Sequence, residues 1–419
     1  MKKVKLWHIL LASFVFRIAL APLAEHGDVI NYYWWAKDIF EKGLLGFYER
    51  DIANAMPPTY PPITSYIFYA SALFHRMLWK LFWFLNVNIK VFPSNLVFWL
   101  ESARGWYFVN KLPSIFADLG IGYFLFLFVK KLKDVKSAKT AALLFGFIPP
   151  FWYNSALWGQ TDSIFALFVL VAFYLLFEKK LVLSALFYLL SFLTKPTSVF
   201  VFPIYALFWF KKARVKEYVA TAALSVGVTF FLYFPFHTSK TFPWIVEFYK
   251  NSLGGELDYI VANSFNFWGL VHGFDNVGEA ALFLRVPSHL LGYGIFLAML
   301  VYWIYIFFKS RKPSFPFILL LSALVGFSAF LFLPRMHERY FYPILLLLLP
   351  VASYEKRVRN IFYLSSFVHL VNLYHYWWVP RVDFLVELFS SRVVESFFIL
   401  LNFYAFYLLF RVQKGFANE

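Results

Sequence analysis

From residue 6 to residue 411 the chain alternates between long apolar runs and short breaks that carry charge or proline, and this alternation limits what it can fold into. In hydrocarbon, backbone amides and carbonyls must find partners within their own segment, which leaves the helix as the spanning element for separate runs of this length. Twelve runs fit, near residues 6–24, 106–129, 138–153, 162–178, 181–194, 197–210, 217–235, 282–308, 315–333, 341–354, 359–378 and 393–411. Several fall short of the roughly 20 residues of a straight crossing, so their helices extend into the flanks or are broken. Charged residues make up 15% of the chain and hydrophobic ones 61%; an ordinary soluble domain carries about 25% charge. The expected fold is an all-α polytopic membrane protein, one domain over 1–419, with long loops at 25–105 and 236–281.

Basic clusters orient it. They lie at 2–5, 130–139, 179–180, 211–216, 309–312, 356–359 and 411–414, between apolar runs, as cytoplasmic loops do. Placing all of them inside requires an even number of crossings between neighbouring clusters. That puts both termini in the cytoplasm and both long loops outside. The net charge of +16 is dispersed over these clusters and forms no contiguous basic face, which argues against nucleic acid as a partner. The chain has no cysteine, so disulfides, thiolate catalysis and Cys-ligated metals are excluded. Arg17 and Pro22 disfavour a cleaved leader and predict a retained first span. The stretch "YPPITSYIFYASALFHRMLWKLFWFLN", residues 60–86, would break the parity if it crossed alone. Its His75, Arg76 and Lys80 predict an amphipathic helix along the outer interface.

With this topology the remaining polar residues gather on one face. Asp28 reads either as a helix N-cap or as a general base whose partial burial moves its pKa toward neutrality. In "LPRMHERYFYP", 333–343, Arg339 offers a fork that matches phosphate, His337 a further donor and Glu338 a group to orient either one; the alternative is a solvated turn. In "WGQTD", 158–162, Trp158 suits stacking on a sugar ring, while Gln160 and Asp162 suit its hydroxyls, with Asp162 alternatively a cap. Lys195, beside Pro196, either meets a lipid phosphate or snorkels. Arg17 and Asp118 fall inside spans, where an unpaired charge is costly, and are expected to pair across the first two. No HExxH, paired-Asp motif or carboxylate-rich loop marks a metal site, and Glu25-His26-x-Asp28 is too local to make one. No cofactor is predicted, and dependence on a divalent metal is left open.

An ordered set of stretches over residues 25–345, "GDVINYYWWAKDIFEKGLLGFY", "YPPITSYIF", "KLPSIFADLGIGYF", "ALWGQTDSIFALF", "LTKPTSVFVFPI", "ANSFNFWGL" and "PRMHERYFYP", resembles the GT-C superfamily of polyprenyl-phosphate-sugar glycosyltransferases. It is most similar to prokaryotic relatives of the PIG-V type mannosyltransferases. The resemblance implies a catalytic Asp in the first outer loop, which falls on Asp28, and interfacial helices in that loop, one of them the "YPPITSY" segment. It also implies a His-Glu-basic cluster at the lipid phosphate, which falls on His337, Glu338 and Arg339. The implied activity is inverting transfer of a hexose, mannose by this resemblance, from a polyprenyl-phosphate donor to a hydroxyl of a glycan, glycolipid or protein. It takes place at the outer face, of the plasma membrane in a prokaryote. Lys195 would join the phosphate clamp; Trp158, Gln160, Asp162, Asn266 and Tyr60 would line the sugar and acceptor pocket. Metal-bearing members show paired acidic residues in the outer loops, without a clear equivalent here. A transporter or flippase of lipid-linked sugars is the competing reading, and it requires a polar path at mid-membrane.

Overall fold

The computed structural model describes residues 4–237, 240–254, 259–278, 280–310 and 312–416. Lys2, Lys3 and Arg311 of the basic clusters, and residues 238–239, 255–258 and 279 of the second long loop, lie outside them. Each of the twelve apolar runs holds a helix, that of 282–308 only from Ser288 onward. In chain order they are α1 (Leu6–Leu20), then, after α2 (Gly27–Lys42), α3 (Pro62–Asn88) and α4 (Ser94–Glu101) of the first long loop, α5 (Ala103–Leu132) and α6 (Val135–Phe147). A short α7 (Pro149–Trp152) leads through a π-helical turn, Tyr153–Trp158, to α8 (Asp162–Phe177), α9 (Leu181–Phe192), α10 (Phe202–Lys212) and α11 (Val215–Tyr233). The second long loop holds α12 (Thr241–Gly254), α13 (Phe267–His272) and a hairpin of β1 (Leu282–Phe283) and β2 (Val286–Pro287). Then come α14 (Ser288–Lys309), α15 (Phe315–Phe332), α16 (Tyr342–Ala352), α17 (Lys356–Tyr374), α18 (Asp383–Phe389) and α19 (Arg392–Gln413).

Among the described residues six helical segments are long and apolar enough to cross a membrane: Leu6–Leu23, Ala103–Leu132, Val215–Tyr233, Ser288–Lys309, Phe315–Phe332 and Arg392–Phe416. Proline cuts two of the others short, α6 at Pro149 and Pro150 and α9 at Pro196, whereas α17 is as long as α11, at 19 residues, but begins with the basic residues Lys356, Arg357 and Arg359. Long α3 is not among the six. It exposes Leu73, Phe74, Met77, Leu81, Trp83 and Phe84 and buries His75, whose Nε2 bonds the Leu100 carbonyl at 2.8 Å.

Helices α15 and α16 are apolar all round and are buried all round, from Phe317 to Leu331 and from Tyr342 to Ala352. They form the axis against which α5, α8, α10, α17 and α19 pack. On the outside, α1, α11, α14 and α19 present Leu11, Val15, Val226, Phe231, Leu297, Val301, Phe397 and Leu400 to their surroundings. Only hydrocarbon accommodates so continuous an apolar surface.

The expected pairing of Arg17 with Asp118 is present: Nε lies 2.6 Å from Oδ2, with both side chains fully buried. Arg17 also donates to Ser13 Oγ at 2.5 Å and to the Gly146 carbonyl at 2.7 Å. Asp118 accepts from Ser155 and Ser163, each at 2.5 Å. A buried ion pair broken on one side leaves an uncompensated charge, a loss of about 3–5 kcal/mol. Asp118→Ala is therefore expected to destabilise the protein by that amount in detergent unfolding, while Arg17→Met with Asp118→Leu recovers much of it.

Candidate functional site

The site is built on the turn between α7 and α8. Its π-helical hydrogen bonding, a form that recurs at functional sites, ends at Gly159, which adopts φ +86°. A Cβ at Gly159 would stand 2.5 Å from Val29 Cγ2 and 2.8 Å from Lys111 Cγ, so the turn needs glycine. The Asn154 carbonyl accepts from Gly159 N and Gln160 N at 3.1 and 3.0 Å. Lys111, fully buried on α5, donates to the carbonyls of Ala21, Ala24 and Leu157 at 2.8, 2.7 and 2.9 Å. It therefore ties the end of the turn to the segment that leads into α2.

That tie brings two N–H groups to Asp28. The Trp158 indole donates to Asp28 Oδ2 at 2.9 Å, and the Gln160 amide donates to the same oxygen. Asp28 is not the N-cap of its helix: His26 is, with Nδ1 accepting the Asp28 backbone N–H at 3.3 Å. The carboxylate is left free to face the site, 22% exposed. Gln160 Oε1 accepts from Tyr32 at 3.0 Å and from Lys195 at 3.4 Å, and the Tyr32 hydroxyl meets that of Tyr60 at 3.1 Å. Lys195 is buried and ion-paired with Asp162, which also accepts from Asn154 at 2.9 Å. The snorkelling and cap readings of these two residues are thus corrected: Lys195 finds a carboxylate in the interior, and the helix that begins at Asp162 has no side-chain cap bond.

The "HERY" segment enters from the opposite side, and it is not a solvated turn. Its backbone bridges residues 262–263 at His337, and Glu338 is fully buried. Glu338 Oε1 lies 3.2 Å from Arg339, whose side chain is 11% exposed and whose guanidinium carbon sits 5.9 Å from the centre of the Trp158 ring. The His337 ring packs edge-on to Tyr340, centroids 5.2 Å apart. Asp28 and Arg339 thus flank one indole, the first at its N–H and the second at its ring.

Four residues expected to touch sugar do not offer it a surface. Trp158 is 1% exposed, covered by the tilted rings of His26 and Trp377 with centroids 4.2 and 5.7 Å away, so no sugar ring can stack on it. Gln160 and Asp162 are spent on the network just described, 0% and 1% exposed. Asn266 stands apart as the N-cap of α13, accepting from Gly269 N at 3.0 Å, and is fully buried. Tyr60 is half-buried beside Tyr32 and Lys195. Sequence reasoning missed His26, Tyr32, Lys111 and Trp377. Tyr32 was within reach, one helical turn after Asp28; Lys111 was too, as a charge inside a span like Arg17 and Asp118. Glu25 turns to Arg104 at 2.7 Å, and among the described residues no three His, Cys, Asp or Glu gather as metal ligands.

The charges act on one another. Burial pushes Asp28 upward but is outweighed by Arg339, His26 and the indole hydrogen bond, so its pKa lies below the usual carboxylate value. The expected shift toward neutrality is reversed, because cations surround the carboxylate. Burial, against the pull of Arg339, pushes Glu338 up to about 7. His26 is held down to about 4, by burial first, with Asp28 opposing and Arg339 and Lys111 assisting. His337 is lowered by burial, Arg339 and Lys195. Between about 4.5 and 7 the folded state keeps a proton on Glu338 that the unfolded state has released, so this group withdraws stability as pH rises. Between about 4 and 6.5 the unfolded state protonates a histidine that the folded state keeps neutral at position 26, so this group adds stability as pH rises. Glu338→Gln is therefore expected to steepen the rise of thermal stability from pH 4.5 to 6.5 relative to the wild type, by up to about 1.4 kcal/mol per pH unit, and His26→Asn to flatten it.

No family model and no curated protein sequence matches this chain. Solved structures do. A crystal structure of ArnT from Cupriavidus metallidurans bound to undecaprenyl phosphate aligns with 98% of this chain and 77% of its own, at 13% identity and a TM-score of 0.50. The oligosaccharyltransferase of Archaeoglobus fulgidus in its apo form aligns with the whole of this chain but 57% of its own, at 14% identity and a TM-score of 0.45. At such identity it is the ArnT likeness that speaks, and it speaks for the fold alone: this chain is an all-α, multi-pass membrane protein whose fold is similar to that of ArnT.

Proposed function

We propose that the protein is an inverting glycosyltransferase that moves a hexose, mannose in our reading, from a polyprenyl-phosphate donor to a hydroxyl of a glycan, glycolipid or protein at the outer face of the membrane. The observation that carries this reading is the pair of opposite charges around Trp158: a carboxylate with one exposed edge and a guanidinium, each bearing on the other. The likeness in fold to ArnT, whose structure holds undecaprenyl phosphate, supports it. So does the distribution of charge: α8 runs from Asp162 at the site to an opposite end where Lys131 meets Glu178 at 2.6 Å, as expected if that end faces the cytoplasm.

In this mechanism the acceptor oxygen attacks the anomeric carbon as its proton passes to Asp28. The bond from that carbon to the phosphate oxygen breaks, and its electron pair leaves with the polyprenyl phosphate. A phosphate monoester is acidic enough to depart unprotonated, so one base and one cation suffice. Arg339 receives the developing charge, with the His337 ring beside it. Arg339 holds Asp28 ionised and weakly basic. A donor phosphate that takes up the charge of Arg339 relieves that hold, so the base gains proton affinity when the donor is bound. Trp158 and Gln160 aim the carboxylate, and Lys195 acts through Gln160. Half-buried Tyr60, Tyr340 and Trp377 are the side chains with surface left for a sugar.

The test is transfer from radiolabelled polyprenyl-phosphate mannose or glucose by purified protein in lipid. Asp28→Asn keeps the shape and the Trp158 contact but cannot accept the proton. It is expected to retain donor binding and to lose transfer by at least about a hundredfold, the scale of general-base catalysis. Normal transfer by this variant refutes the assignment of the base, and a wild type that moves lipid-linked sugar across the bilayer without transferring it makes the protein a flippase.

A further inference from the structure

Arg339 is the end of a longer chain of polar contacts that reaches the last helix. Glu338 binds Arg339 through Oε1 at 3.2 Å and accepts from Asn263 Nδ2 through Oε2, also at 3.2 Å. Asn263 Oδ1 meets His375 Nδ1 at 2.7 Å, and His375 Nε2 meets Glu395 Oε1 at 3.0 Å. Glu395 Oε2 lies 3.6 Å from Arg392 on the same helix. Every member except Arg392 is buried or half-buried. Phe265, Phe274 and Trp378 wall the imidazole, with centroids at 5.1, 4.7 and 5.3 Å.

The contacts fix the direction of each hydrogen bond. Asn263 Nδ2 faces two acceptors, the His375 carbonyl at 2.9 Å and the Glu338 carboxyl, so its amide orientation is set and Oδ1 must face the ring. His375 Nδ1 therefore carries a proton and donates it. The Nε2 contact with Glu395 then requires a second proton, shared between the ring and the carboxyl. Asn263 is held in this position at a cost in backbone freedom: it adopts φ +62°, and Asn372 braces it by donating to its carbonyl at 2.7 Å. Asn263 and His375 lie 112 residues apart in the chain, on separate elements. A network so enclosed has one satisfied arrangement.

We propose that Glu395, His375 and Asn263 form a positioning relay that orients Arg339 through Glu338, and thereby sets how tightly the clamp holds a lipid phosphate. The proposal rests on the reading of Arg339 as a phosphate clamp. None of the three touches the reacting atoms. Loss of the His375 donor leaves Asn263 Oδ1 unpartnered, which loosens the hold of its amide on Glu338 Oε2 and lets the carboxyl and its guanidinium shift away from Trp158.

Binding of undecaprenyl phosphate to the full-length protein in detergent tests the relay apart from catalysis. Arg339→Ala is expected to weaken binding roughly 10- to 100-fold, as the loss of a charge-assisted contact does. His375→Phe and Glu395→Met are each expected to weaken it roughly tenfold, and to have no further effect once Arg339 is alanine, because they act only through it. Glu395→Met keeps the length of the side chain and reports if His375→Phe fails to fold. Relay variants that bind like the wild type, or whose losses add in full to that of Arg339→Ala, overturn the relay and leave the proposed function standing. A wild type that does not bind the probe, or an Arg339→Ala variant that binds it equally well, removes the clamp and the relay together.

Discussion

The site depends on a carboxylate that takes no part in it. Asp118, buried in the middle of α5, accepts from Arg17 of α1, from Ser155 in the π-helical turn and from Ser163 in the first turn of α8, and Tyr342 at the head of α16 approaches it at 3.4 Å. Those last three residues lie three positions before Trp158, one after Asp162 and three after Arg339. One satisfied anion in the apolar interior thus fixes the spacing of the segments that carry Trp158, Asp162 and Arg339. An unpaired charge there would cost several kcal/mol, so the arrangement is all or none. Lys111 repeats the device with three carbonyls in place of a carboxylate.

From this follows the character of the site. Its aiming groups are interior groups: Trp158, Gln160, Lys195 and Glu338 are buried, and only Asp28 and Arg339 bring part of a charged side chain to the surface. Enclosure makes each hydrogen bond to Asp28 stronger than it would be in water and keeps the donors fixed in place before a substrate arrives. It also couples the two charges, so that the basicity of Asp28 is set by what Arg339 is bound to.

Much of the fold was legible because hydrocarbon imposes a simple rule on sequence. Each of the twelve apolar runs holds a helix, and Arg17 and Asp118, stranded inside two of them, pair with each other. Asp28, Lys195 and the "HERY" cluster were legible as polar residues with no easy place in such a chain. The roles of Trp158, Gln160 and Asp162 were not. An indole next to a glycine reads as a stacking platform until His26 and Trp377, 132 and 219 positions from it in sequence, are seen to cover it. The direction of the Asp28 shift was hidden for the same reason, since it depends on Arg339, far along the chain. Asn266 was mistaken for a ligand group because a cap and a sugar contact draw on the same amide.

The central claim is that a single carboxylate acts as base, with a cation on the leaving phosphate and no nucleophile between them. The most direct measurement is the anomeric configuration of the transferred sugar, read by NMR on the product formed from a donor of known configuration. One displacement with Asp28 as base predicts inversion in every turnover. Retention would require a covalent or doubly displaced intermediate and would contradict the account.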